Sequence, residues 1–124
     1  MSTSSALLCL ALNIYHESRG EPKNGQIAVA MVTMNRAQWQ PENICEVVYA
    51  HRQFSWTRSS AKPHKMEEPA WRRAKKIAKE VMLGEHNDIS DGATHFHTHD
   101  IRPKWSRSFE QKMRIGRHIF YSSN

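Results

Sequence analysis

Two apolar runs separated by a glycine and a proline constrain this chain more than any other feature. Ala6 to Tyr15 and Gln26 to Met34 flank the stretch Tyr15-His16-Glu17-Ser18-Arg19-Gly20-Glu21-Pro22. In the first run Leu7, Leu10, Ala11 and Ile14 recur at helical spacing, with Leu8, Leu12 and Tyr15 as an adjacent stripe. A helix from a cap at Ser4 or Ser5 to about Ser18 follows, apolar over much of its circumference. Gly20 suits its stop, and Pro22 suits the first turn of a second helix. That second run is apolar nearly all round, which places it at the centre of a domain. A buried strand competes for so β-branched a segment. The interleaved Ala28 and Ala30 and the continuation to Asn35-Arg36 favour helix.

The rest is less regular. Trp39 to Pro41 reads as a loop, and Asn43 as the cap of a short helix carrying Ile44, Val47, Val48 and Tyr49. Residues 57–69 read as a polar surface loop. A further helix is expected from Glu68 to Leu83, stopped by Gly84, burying Trp71, Ala74, Ala78, Val81 and Met82. Its outer face carries Arg72, Arg73, Lys75, Lys76 and Lys79. Ala93 to His97 suggests a short strand. Residues 100–112 give no clear pattern, and 115–121 reads as a strand or a last helical turn. The fold class is therefore mainly α with a small β element, in one domain spanning 1–124.

Composition narrows the possible functions. The 124 residues suffice for one core, and no apolar run approaches the roughly 20 residues that cross a bilayer. A net charge of +6 suits an anionic partner without choosing among nucleic acid, membrane surface and wall polymer. Cys9 and Cys45 make no disulfide framework and are expected to be reduced. Neither a phosphate-binding glycine loop nor a Gly-x-Ser-x-Gly elbow occurs.

Glu17 is the candidate catalytic acid. A carboxyl at the end of an apolar helix, covered by a second helix, is partly desolvated, and desolvation favours its protonated form. Such a group can protonate the leaving oxygen of a glycoside. Glu21 is expected to be structural, pairing with Arg19 or Arg36 or sitting favourably at the start of the second helix. A second acid, if used, would come from Glu42, Asp88, Asp91 or Asp100, none of which its surroundings single out. The competing constellation is His95-x-His97-x-His99, which on a strand would present three imidazoles on one face and could serve a metal-dependent amidase or peptidase. A basic, non-catalytic wall- or nucleic-acid-binding module is the remaining alternative.

Several pieces, in order, resemble the cell-wall hydrolase family of spore cortex-lytic enzymes. They are Tyr-His-Glu-Ser-Arg-Gly-Glu-Pro (15–22), Gly-Gln-Ile-Ala-Val-Ala-Met-Val (25–32) with Asn35-Arg36, and Ile-Cys-Glu-Val-Val-Tyr (44–49). Gln53-Phe54-Ser55, Ala93-Thr94-His95-Phe96-His97, Trp105 and Ile-Gly-Arg-His-Ile-Phe-Tyr (115–121) follow. The resemblance implies a lysozyme-like, lytic-transglycosylase-type domain that cleaves peptidoglycan glycan strands without cofactor or metal. It places the catalytic glutamate on Glu17. It implies substrate contacts at Ser18, Gln53, Phe54, Ser55, Phe96, His97, Trp105 and His118. A short, basic chain in which Ala6 to Ile14 lacks the marks of a signal peptide suits a phage-type endolysin. Such a protein is expected to be a monomer held in the cytoplasm until released to the wall, with no nucleic-acid partner and no stable membrane insertion.

Overall fold

The computed structural model describes residues 3–50 and 67–123. Among the described residues four helices come first: α1 (Thr3–Ser18), α2 (Lys23–Arg36), α3 (Pro41–Tyr49) and α4 (Glu68–Met82). Three strands follow, β1 (His95–Thr98), β2 (Glu110–Ile115) and β3 (His118–Ser122), with a 3-10 turn at Lys104–Arg107. The sheet is antiparallel in the order β1-β3-β2. The expected class, mainly α with a small β element, is the one observed.

α2 organises the packing. All residues from Gly25 to Met34 are buried. Ile27, Ala30, Met31 and Met34 pack with Leu10 and Ile14 of α1, Ile44 and Val48 of α3, and Ile77 and Val81 of α4. The opposite side, Ala28, Val29 and Val32, packs with Ala93 and with Phe120 of β3. The run is apolar all round because it has a helical layer on one side and a sheet on the other. A rare polar contact inside this core joins α1 to α2, where the Thr33 hydroxyl donates to Asn13 Oδ1 at 2.6 Å.

Several local expectations change. α1 starts at Thr3, ahead of either expected serine cap, and Leu8 is 51% exposed, so its apolar stripe is narrower than the sequence suggests. α3 opens at Pro41, because proline is suited to a first helical turn. Asn43 lies inside that helix and donates to Ala37 O at 3.2 Å. In α4 Ile77 is buried, while Trp71 and Met82 sit at the edge of the core. Cys9 and Cys45 are not reduced thiols: a disulfide joins them, with Cα atoms 5.3 Å apart. Their separation of 36 residues gives no hint of pairing, but the packing of α1 against α3 sets the two side by side.

The sheet is tied to α2 by polar contacts. Asp88 accepts from the Ser90 amide (2.9 Å), the Gly92 amide (3.0 Å) and Asn35 Nδ2 (3.0 Å). Asn35 Nδ2 also donates to Ala93 O at 2.9 Å, and Arg36 Nη1 to Thr94 O at 3.3 Å. The polar end of α2 thus fixes where β1 begins.

Candidate active site

Glu17 lies in the last turn of α1, half-buried. There the helix dipole presents its negative end. The chain then turns sharply, with the Glu21 amide donating to Ser18 O at 2.9 Å. Gln26 secures that turn from α2, donating to Glu21 O at 3.0 Å.

Two adjoining depressions meet at Glu17. One, of about 350 Å³, is lined by Glu17, Thr98, His99, Asp100, Arg117 and His118. The other, of about 360 Å³, is lined by His16, Glu17, Ser18, Arg19, Gly20 and Arg117. Glu17 and Arg117 belong to both. The walls therefore come from the end of α1 on one side and from the sheet on the other.

Glu21 holds the sheet wall in place. It is 5% exposed and accepts from the Arg117 backbone N–H at 2.7 Å and from Arg117 Nε at 2.9 Å. Burial pushes its carboxyl up, but the two Arg117 hydrogen bonds and the nearby His118 and Arg117 charges outweigh that and hold it below the ordinary value. Its partner is thus Arg117, neither Arg19 nor Arg36. Gly116, at φ 58°, opens the two-residue turn between β2 and β3. It is required twice over: that φ disfavours any side chain, and a Cβ there would collide with Glu21 Oε1.

His118, 4% exposed, lines the first depression, with Nδ1 3.7 Å from Glu21 Oε1. Burial holds its imidazole below the ordinary value; Glu21 opposes this, and Arg117 and His97 reinforce it. His16 is likewise lowered, by burial and then by Arg19. Both rings are therefore neutral near neutral pH.

The candidate second acids separate by position. Asp100 lines the Glu17 depression. The Thr98 hydroxyl and its own backbone amide hold it below the ordinary carboxylate value against desolvation, with the charges of His99 and Arg117 adding to the lowering. Asp88 is committed to the turn described above. Asp91 pairs with Lys112 at 3.4 Å, and Glu42 is exposed in the first turn of α3.

The histidine cluster does not converge. His97 Nδ1 donates to Thr98 O at 2.7 Å, which leaves Nε2 to accept from the Tyr121 hydroxyl at 2.9 Å. His95 Nδ1 meets the Thr94 hydroxyl at 2.9 Å. His99 lies beyond the end of β1 and lines the first depression with Glu17. No three His, Cys, Asp or Glu side chains among the described residues come together as a metal-holding group.

The sequence-derived contact residues also divide. Ser18 lines the second depression, although its hydroxyl donates to Ile14 O at 2.8 Å. His118 lines the first. His97 and Trp105 instead form an aromatic cluster with His95, Phe109 and Tyr121, ring centroids 4.7–5.6 Å apart. Phe96 packs on His118 and Phe120 from the opposite face of β1. Gln53, Phe54 and Ser55 lie outside the described residues. Thr98, His99, Arg117 and Arg19 were not anticipated as lining residues. The one available signal was Gly116, whose turn delivers Arg117.

Comparison with known proteins places this geometry. A family model described as Cell Wall Hydrolase matches residues 20–121, a span that begins just after Glu17. A spore cortex-lytic enzyme from Halalkalibacterium halodurans is 35% identical over 114 residues, 90% of this chain. The chain spans about a third of that relative's length (33%). The catalytic domain of the germination-specific lytic transglycosylase SleB from Bacillus anthracis superposes with a TM-score of 0.76 at 30% identity, covering 94% of this chain and 93% of that domain. The catalytic domain of Bacillus cereus SleB gives 0.77 at 30% identity, covering 96% and 91%. The lysozyme-like, transglycosylase-type fold expected from the sequence is thus the one this chain has.

Proposed function

The chain belongs to the Cell Wall Hydrolase family, and from that premise we propose that it cleaves peptidoglycan glycan strands as a lytic transglycosylase with Glu17 as general acid and base. The observation that carries this reading is that Glu17 sits where the two depressions meet. Each is large enough for a sugar, so the scissile bond would lie over the carboxyl.

In this reaction Glu17 gives its proton to the glycosidic oxygen, and the C–O bond breaks with its electron pair on that oxygen. The C6 hydroxyl of the muramic residue attacks the anomeric carbon, and its proton returns to Glu17. No water is consumed, so one product carries an internal anhydro ring. Asp100, ionised on the same wall, supplies negative potential where the ring gains positive charge. His118, neutral and buried, shapes that wall without adding a competing charge.

Within this activity we propose a phage-type endolysin acting as a monomer. It would be made in the cytoplasm and act at the wall, without a nucleic-acid partner or stable membrane insertion. The Cys9–Cys45 bond supports action in an oxidising compartment. No described helix is long and apolar enough to cross a membrane.

The test is mass spectrometry of digested peptidoglycan. Anhydromuramic ends are expected from the wild-type protein and none from Glu17→Gln. Hydrolysed muramic ends, heavier by one water, would replace the transglycosylase reading by a muramidase one.

A further inference from the structure

A third depression, of about 250 Å³, continues the groove between the end of α1 and the start of α4. It is lined by Arg19, Glu67, Pro69, Ala70 and Arg73, and it shares Arg19 with the depression beside Glu17. We infer that this is a branch site that reads carboxylates on the short peptide carried by the muramic sugar. The inference rests on the peptidoglycan reading above and adds to it a determinant of substrate choice.

The chemistry follows from how the two arginines are held. The Arg19 guanidinium lies 5.0 Å over the ring of buried Tyr15. The Tyr15 hydroxyl is itself fixed, accepting from the Glu67 amide at 2.9 Å. A guanidinium stacked on an anchored ring keeps its planar set of donors pre-oriented. Arg73 extends from the exposed face of α4. Nearby arginines are paired, Arg72 with Glu68 at 3.6 Å and Arg117 with Glu21 at 2.9 Å. Arg19 and Arg73 have no carboxylate within ion-pair distance among the described residues, even though Glu67 lines the same depression. Two cations against one carboxylate leave the site net positive, which suits an acidic group from outside.

Size and position select the ligand. The two depressions at Glu17 are each larger and are taken by the sugars flanking the cleaved bond. The third is smaller and adjoins them through Arg19. The muramic residue, whose bond is cut, is also the residue that carries the peptide. A branch leaving that sugar therefore emerges near Arg19. Bidentate contact between guanidinium and carboxylate gives such a site its selectivity.

Binding of soluble glycan fragments tests this without requiring turnover. Fragments with the peptide attached are compared with the same fragments stripped by an amidase, in the Glu17→Gln protein, by calorimetry. A preference of about fivefold for the peptide-bearing form is expected, the strength of a solvent-exposed ion pair. Arg73→Gln should erase it, and Arg73→Glu should invert it. Stripped fragments should bind all three proteins within about twofold. Equal affinity for both fragments in the parent protein, or a preference that survives Arg73→Glu, overturns the branch site. The glycan-cleavage reading is judged separately: loss of all cleavage by the wild-type protein, with the branch preference intact, would refute that reading alone.

Discussion

The two walls of the Glu17 groove are built by different means. The α1 wall stands on the larger apolar core and is tied by the Cys9–Cys45 disulfide to α3. The sheet wall stands on a small core around Phe120, and its tip is held to the first wall by the Glu21–Arg117 contacts. The first wall presents Glu17 and is secured by packing and a covalent bond. The second presents the surroundings of the substrate and is secured by charge. The two ties therefore weaken under different conditions, the first on reduction and the second on acidification.

The largest effect expected is on chemistry alone. Glu17→Gln should lower the cleavage rate by about 1,000-fold while leaving the melting temperature within a few degrees of wild type. If stability fell as well, the acid would be part of what holds the first wall. Next comes Cys45→Ser, with a cost of about 3–4 kcal/mol from lost loop-closure entropy over the 36-residue separation. Chemical denaturation at neutral pH would measure it. Wild-type protein treated with a thiol should show the same loss and Cys45→Ser no further loss.

Glu21→Gln should cost less, about 2 kcal/mol for hydrogen bonds to a charged group, and should carry a pH signature. The folded Glu21 carboxyl lies below its ordinary value of 4.5. Its stabilisation is therefore complete above that value and is lost as pH falls through the lowered one. Acid titration of stability should steepen there in wild type and flatten in the variant, with Arg117 and His118 the facing groups. A steep profile retained by Glu21→Gln would move the charge clamp elsewhere. The smallest effect is expected from Asp100→Asn, a fall of about tenfold in kcat with little change in KM. A change confined to KM would make Asp100 a binding group.

Legibility in the sequence followed the same division. The helices and the turn after Glu17 could be read because their signals are local: apolar spacing in α1 and α4, a run apolar on every side in α2, and a glycine and proline marking the turn. The sheet wall was poorly legible because β2 carries few apolar residues and its burial shows no clean alternation. Glu21 and Arg117 lie 96 residues apart, so neither identifies the other. The same holds for Cys9 and Cys45, whose pairing depends on how α1 and α3 pack. Three neighbouring histidines suggested a metal, whereas the pleat and the end of β1 send His97 to Tyr121 and His99 to the wall of the Glu17 depression.

α2 has no face left for solvent from Gly25 to Met34. Neither the helical side nor the sheet side can finish its interior until that segment is in place, and neither keeps it once the segment leaves. The protein consequently has no half-assembled form in which one wall survives while the other dissolves. Loosening the sheet thus draws on the cohesion of the entire described body, which keeps the groove's surroundings in register even though its outer wall rests on so little apolar surface.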